Sequence, residues 1–262
     1  MTGSHPWDWK AGAPLLGAWA MLPDVHVAES LARSGVDWIC LDLQHGLMDY
    51  TDLVRLLPVV SAAPVTPIVR VAANAADQIG KALDAGAEGI IVPMVDTAED
   101  ARRAVEACRY PPAGRRSCGP VRPLLVDGPG YLGAANDRIV CFPMIETLEG
   151  LENVDAIAAV DGVSGLFVGP VDLCFGLGLA PGDFRNARFV DALATIRAAC
   201  DRHGRAAGIF GYTPEAAAHA LADGFRFASA GTDVGFLRDG LARGLAAARA
   251  TADAPATSKT GY

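Results

Sequence analysis

The chain holds 262 residues, 51% hydrophobic and 20% charged, a globular balance that excludes general disorder. Its net charge of −8 argues against nucleic acid or an anionic membrane surface as the main partner. No apolar run approaches the ~18 residues of a membrane span, and the opening MTGSHPWDWK lacks the basic start and apolar core of a secretory signal.

A first strand is expected at Leu15 to Leu22, followed by a helix from Pro23-Asp24 to Arg33 that stops at Ser34-Gly35. Val36 to Leu43 is the second strand and delivers Gln44-His45-Gly46. A helix from Thr51 to Ala62 leads to a third strand, Thr66 to Val71, with Arg70 near its end. Asp77 to Asp84 is helical, Gly89 to Val95 the fourth strand, and Ala98 to Arg109 the next helix. Residues 111–137, rich in Pro and Gly, then read as one long connection, a length usually reserved for functional loops or lids.

The rhythm resumes with an apolar strand, Arg138 to Thr147, which ends on Glu146. One helical segment, Leu148 to Val160, separates it from VSGLFVGPVDL, a buried strand that breaks at Gly169-Pro170 and presents Asp172. A helix from Arg188 to Arg202, a strand from Arg205 to Tyr212, a helix from Thr213 to Gly224, a strand from Phe225 to Ala230 and a helix from Val234 to Ala250 complete the series. Eight strand–helix units at intervals of about 25 residues predict a (β/α)8 barrel, a TIM barrel of the α/β class, with a doubly wound sheet as the alternative. Residues 1–250 form this single domain and 251–262 a disordered tail.

Chemistry in such barrels sits at the C-terminal ends of the strands, where His45, Arg70, Glu146 and Asp172 all fall. Neighbouring strands lie about 4.8 Å apart, so acids ending consecutive strands can reach one cation. Two carboxylates without a His or Cys ligand favour a hard divalent ion, Mg²⁺ or Mn²⁺. The alternative is that each acid caps the helix after it. His45 is either structural or a general base. Arg70 needs anionic company, from Glu146, Asp172 or a substrate oxygen. Arg115 and Arg116 read by default as a solvated cluster, and the turns GIFGYT and SAGTDVG offer a weak case for phosphate bound by backbone N–H groups.

The three lysines, Lys10, Lys81 and Lys259, none of them ending a strand, argue against Schiff-base chemistry. The six cysteines contain no CxxC pair, so reduced thiols in a cytoplasmic protein are expected.

The strings LDLQHG, PIVRV, IIVPMV, RYPPAGRRSCGP, MIET and VGPVDL, in this order and spacing, resemble the HpcH/HpaI aldolases, metal-dependent (class II) pyruvate aldolases. The resemblance runs from about Gly17 to Ala248. It implies a (β/α)8 barrel whose eighth helix is exchanged between subunits of a homo-hexamer, a trimer of dimers. By motif match Glu146 and Asp172 are the metal ligands and His45 the acid/base residue. Arg70 holds the keto or aldehyde oxygen, and Asp84 orients the histidine of a neighbouring subunit. Gly169, Pro170 and Val171 contact the substrate carboxylate, and Trp19 of the first strand is grouped with these substrate-binding residues.

The implied reaction is reversible cleavage of a 4-hydroxy-2-oxo acid to pyruvate, or hydroxypyruvate, and an aldehyde. Mg²⁺, Mn²⁺ or Co²⁺ acts as Lewis acid, and His45, or a water it activates, takes the hydroxyl proton. Gln44 and Met144 depart from some relatives, which carry Glu and Gln there, and bear on substrate preference. Competing expectations are a malyl- or citryl-CoA-type lyase with the same metal pair, a phosphate-binding barrel isomerase, and a non-catalytic barrel.

Overall fold

The structure, a computed structural model, describes residues 13–252. Along the chain run β1 (Leu15–Ala20), α1 (Val25–Ala32), β2 (Trp38–Asp42), α2 (Tyr50–Val60), β3 (Thr66–Arg70), α3 (Ala76–Asp84), β4 (Gly89–Val92) and α4 (Ala98–Cys108). Then come α5 (Val121–Asp127), α6 (Tyr131–Arg138), β5 (Val140–Ile145), α7 (Leu148–Glu152), α8 (Val154–Ala158), β6 (Gly165–Val168), α9 (Pro170–Gly176) and α10 (Ala187–Arg202). The chain finishes with β7 (Ala206–Ile209), α11 (Pro214–Ala222), β8 (Phe227–Thr232) and α12 (Asp233–Ala252). The strands pair in chain order, all parallel, and β1 closes on β8. This is the expected (β/α)8 barrel.

The continuous apolar runs of the strands follow from burial on both faces. Every second residue points inward. Trp19, Trp38, Cys40, Ile68, Ile91, Phe142, Met144, Phe167 and Phe227 fill the barrel, while Ile39, Leu41, Val69, Ile90, Ile145, Leu166 and Val168 pack against the helices. So many rings fit because two inward positions have no side chain. A Cβ on Gly17 would lie 2.1 Å from the Trp38 ring, and one on Gly208 2.1 Å from Phe227.

Several elements differ from the sequence expectation. The connection at 111–137 is not one open loop, since α5, a 3₁₀ turn (Gly128–Gly130) and α6 occupy its second half. Its prolines and glycines mark helix boundaries: Pro120 precedes α5, Gly128 (φ 69°) ends it, and Pro129 sits in the 3₁₀ turn. The helix expected at 148–160 is two short helices that meet at Asn153. The eighth helix begins inside the barrel wall, where the Asp233 carboxylate accepts the Met21 and Leu22 N–H groups at 3.0 and 2.9 Å. From Leu237 to Ala250 it is exposed. Of the tail expected at 251–262, residues 251 and 252 belong to α12 and the rest lies outside the described residues.

Candidate active site

Asp42 and Arg70 occupy partnered positions at the ends of β2 and β3. Asp42 follows Trp38 and Cys40 at the two-residue spacing of inward side chains, so its carboxylate enters the barrel mouth. Arg70 Nε and Nη2 donate to its two oxygens at 2.9 and 2.6 Å. Trp19 Nε1 adds a third bond at 3.1 Å, and the Gln44 and His45 backbone N–H groups donate at 3.0 and 3.3 Å. Burial works to raise the Asp42 carboxyl, but Arg70, Trp19 and Gln44 outweigh it and hold the group below its ordinary range. Arg70 also lies 5.0 Å from the Trp19 ring centroid.

The acid that bonds Arg70 is therefore neither Glu146 nor Asp172 but Asp42, which sequence reasoning missed. Its signal was the lone acid at an inward position of an otherwise apolar strand.

Glu146 lies one residue beyond β5 and is 2% exposed. It does not cap the next helix: Thr147 does, accepting the Gly150 N–H at 2.9 Å. Glu146 Oε1 instead accepts the Met94 N–H at 2.7 Å. Met94 has φ 54°, a left-handed conformation that costs a non-glycine residue about 1–3 kcal/mol. The other oxygen, Oε2, faces the backbone of Gly169, where a Cβ would come within 2.5 Å. Burial pushes the Glu146 carboxyl up to about 6; the Met94 N–H opposes this, and the charge of Asp172 reinforces it.

Asp172 does not end a strand, as its sequence position suggested, but stands in the first turn of α9. The break at Gly169-Pro170 starts a helix, because proline's fixed φ suits a first helical position. The side chain is exposed, and α9 has no side-chain cap. Neither acid caps a helix. Among the described residues no group of three or more His, Cys, Asp or Glu side chains could hold a metal ion.

A cleft of about 500 Å³ opens over this floor. It brings together Trp19, His45, Arg70, Gly169, Pro170, Val171 and Asp172 of the expected residues. His45 is exposed, on the loop after β2. Phe210, Tyr212, Met21 and Leu47 also line the cleft, although nothing in their residue types marks them for chemistry. Phe210 meets Trp19 edge-on at 4.9 Å and Tyr212 edge-on at 4.7 Å. Burial pushes the Tyr212 hydroxyl up, and Asp172 pushes the same way. Met144 lines the cleft with its sulfur 4.0 Å from Arg70 Nη1.

Asp84 lies elsewhere. At the end of α3 it accepts Arg116 Nη2 at 2.7 Å, and it lines a separate surface hollow with Lys81 and Arg103. Arg116 is buried in this pair, so only Arg115 behaves as a solvated charge. In the glycine-rich turns after β7 and β8, three of the N–H groups a phosphate would need are already taken. The Gly211, Val234 and Gly235 N–H groups are engaged by Ser229 Oγ, Asp233 Oδ1 and Thr232 Oγ1.

The sequence profile of HpcH/HpaI aldolase/citrate lyase matches residues 15–240. This chain belongs to that family. Among its relatives is a hydroxypyruvate/pyruvate aldolase of Rhizorhabdus wittichii, 41% identical over 243 residues, covering 92% of this chain and 97% of the relative. A 4-hydroxy-2-oxo-heptane-1,7-dioate aldolase of Salmonella dublin is 37% identical over 244 residues, covering 91% of each chain. The crystal structure of an HpcH/HpaI aldolase/citrate lyase family protein from Burkholderia cenocepacia J2315 superposes with a TM-score of 0.87 at 33% identity, covering 93% of this chain and 98% of that one.

Proposed function

We propose that this chain is a class II aldolase, a carbon–carbon lyase that reversibly cleaves a 4-hydroxy-2-oxo acid into pyruvate or hydroxypyruvate and an aldehyde. The observation that carries the reading is Glu146: a buried carboxylate, held through one oxygen by a single N–H, whose carboxyl is pushed up further by the charge of the exposed Asp172. Family membership and the aldolase names of full-length relatives support it.

Glu146 and Asp172 would hold the cation, and an all-oxygen pair suits Mg²⁺ or Mn²⁺, with Co²⁺ also accommodated. Bound there, the ion supplies Lewis-acid stabilisation of negative charge on the 2-oxo group as the C3–C4 bond breaks. Arg70, its Nε and Nη2 fixed by Asp42, is a pre-oriented donor toward the reacting oxygen. Gly169, Pro170 and Val171 line the cleft where a substrate carboxylate would sit, against the first turn of α9. The buried Trp19 would form the apolar floor beneath the donor carbon atoms. His45, free to meet the 4-hydroxyl at the cleft mouth, would take its proton directly or through one water and return it in the aldol direction.

The same reading extends to assembly. α12 carries Leu237, Leu241 and Leu245 at 57%, 64% and 44% exposure, four residues apart on one stripe. A groove of about 570 Å³ beside its root is lined by Val27, Leu31, Val36 and Phe236. Together they support exchange of the eighth helix between subunits, in a homo-hexamer where Asp84 of one chain would serve His45 of the next. Six free cysteines, five of them buried, support a reducing, cytoplasmic setting.

The test is pyruvate release from 4-hydroxy-2-oxoheptanedioate with EDTA, then with Mg²⁺ or Mn²⁺ restored. Release that requires the metal and is lost in Glu146→Ala and Asp172→Ala is expected. Turnover by the stripped, chelated protein would overturn the metal reading. No turnover of any 4-hydroxy-2-oxo acid by the metal-loaded protein would favour a CoA-thioester lyase instead.

A further inference from the structure

The segment after β4 is a bracket around Glu146. Met94 is the one non-glycine residue with positive φ among the described residues, and its side chain is 54% exposed, so packing of that side chain does not explain the conformation. L-residues avoid this region because Cβ crowds the backbone. What the turn achieves is the direction of two successive N–H groups. The regular β4–β5 pairing ends at Val92 opposite Pro143, which has no N–H of its own. Beyond it, the Met94 N–H reaches Glu146 Oε1 at 2.7 Å and the Val95 N–H reaches the Met144 carbonyl at 3.4 Å.

The next residue is clamped from the same side. The Thr147 hydroxyl donates to the Asp96 carboxylate, and Asn153 Nδ2 donates to the Asp96 carbonyl at 2.8 Å. Space is tight as well: a Cβ on Gly150 would lie 2.9 Å from the Val95 carbonyl oxygen. An unfavoured backbone conformation persists only where the surroundings over-determine it, and such outliers gather at functional sites.

We propose that Met94 is a positioning residue for the cation site: its left-handed backbone supplies the N–H that fixes Glu146 through Oε1, leaving Oε2, beside Gly169, as the oxygen offered to the ion. This rests on the reading of Glu146 as a ligand. The role belongs to the backbone at position 94 and not to the methionine side chain, which sets its test apart from an ordinary truncation.

The measurement is the Mn²⁺ dissociation constant of the intact protein without substrate, followed by electron paramagnetic resonance. Met94→Gly and Met94→Asn, whose residues accept positive φ, should keep the wild-type constant. Met94→Val and Met94→Ile, whose branched side chains resist it, should bind Mn²⁺ about tenfold more weakly, as outer-shell changes do. The opposite order, or equal constants in all four variants, would overturn the proposal.

Should the branched variants not fold, residue-resolved hydrogen exchange decides it. The Met94 amide should be protected in the wild type and exchange at least about tenfold faster in Glu146→Ala, with Val95 unchanged; equal protection in both proteins would overturn it. If Glu146→Ala binds Mn²⁺ like the wild type, the ligand reading fails, whatever the exchange at Met94.

Discussion

Two buried carboxylates, Asp42 at the end of β2 and Glu146 just past the end of β5, live opposite lives. Asp42 takes two bonds from Arg70, one from Trp19 and two from the backbone. Glu146 is bonded through one oxygen by one N–H, with a second carboxylate nearby pushing against it. The first acid is saturated and its charge is matched; the second is open and its charge is not. An ionised group taken out of water demands compensation, and where the chain withholds it a cation is the natural complement. Asp42 thus belongs to the frame that holds Arg70, and Glu146, on the reading proposed above, to the cation site.

The largest expected effect breaks the open acid. Glu146→Ala should lower kcat by at least about a thousandfold, the scale of losing a principal electrostatic element of an active site. Steady-state rates at saturating Mn²⁺ check it, and a variant within tenfold of wild type would refute the assignment.

Breaking the saturated acid should act on the fold first. Asp42→Ala leaves Arg70 buried without its partner, which costs about 3–5 kcal/mol. Urea unfolding of the metal-free protein measures that loss, and Asp42→Asn, which keeps the shape and one acceptor, should lose less.

The pH dependence sharpens the contrast. Glu146 has its carboxyl raised from 4.5 to about 6 in the fold. A raised carboxyl makes its favourable contribution below pH 4.5, and that contribution is lost as pH rises through 6. For the metal-free protein the loss amounts to about 2 kcal/mol by pH 8. Glu146→Gln should remove it, so the variant should be the more stable protein at pH 8, with the gap narrowing toward pH 4.5. Asp42, held below its ordinary range, gives the opposite sign: its contribution is present above the usual carboxylate pKa and lost as pH falls through the depressed one.

The smallest effect separates pairing from burial. Arg102 and Glu99 form an ion pair at 2.9 Å, both side chains more than half exposed. Arg102→Ala should change stability by less than about 0.5 kcal/mol in the same urea series.

How much of this the sequence could show follows from which signals are local. Apolar runs, helix stops and the interval between units are written in consecutive residues, so the barrel was legible, as was the grouping of His45, Arg70 and Asp172 around one cleft, whose lining does not include the buried Glu146. Asp42 was not singled out, because its meaning depends on the register that sets it opposite Arg70. Met94 carried no mark, since nothing in a methionine announces a positive φ. Asp172 was read as a strand end because Gly-Pro signals a break without telling whether a turn or a helix follows. The Pro/Gly stretch at 111–137 misled in the same way, its prolines and glycines sitting at helix ends. Phe210 and Tyr212 looked like ordinary strand and loop aromatics until closure of the barrel brought them beside Trp19.

The most direct test of the division between the two acids is a Mn²⁺ titration of the wild type, Glu146→Ala and Asp42→Asn at one pH, without substrate. Loss of Mn²⁺ binding in Glu146→Ala with near wild-type binding in Asp42→Asn is the predicted result. Retained binding in Glu146→Ala, or loss in Asp42→Asn from a protein that still folds, would contradict it.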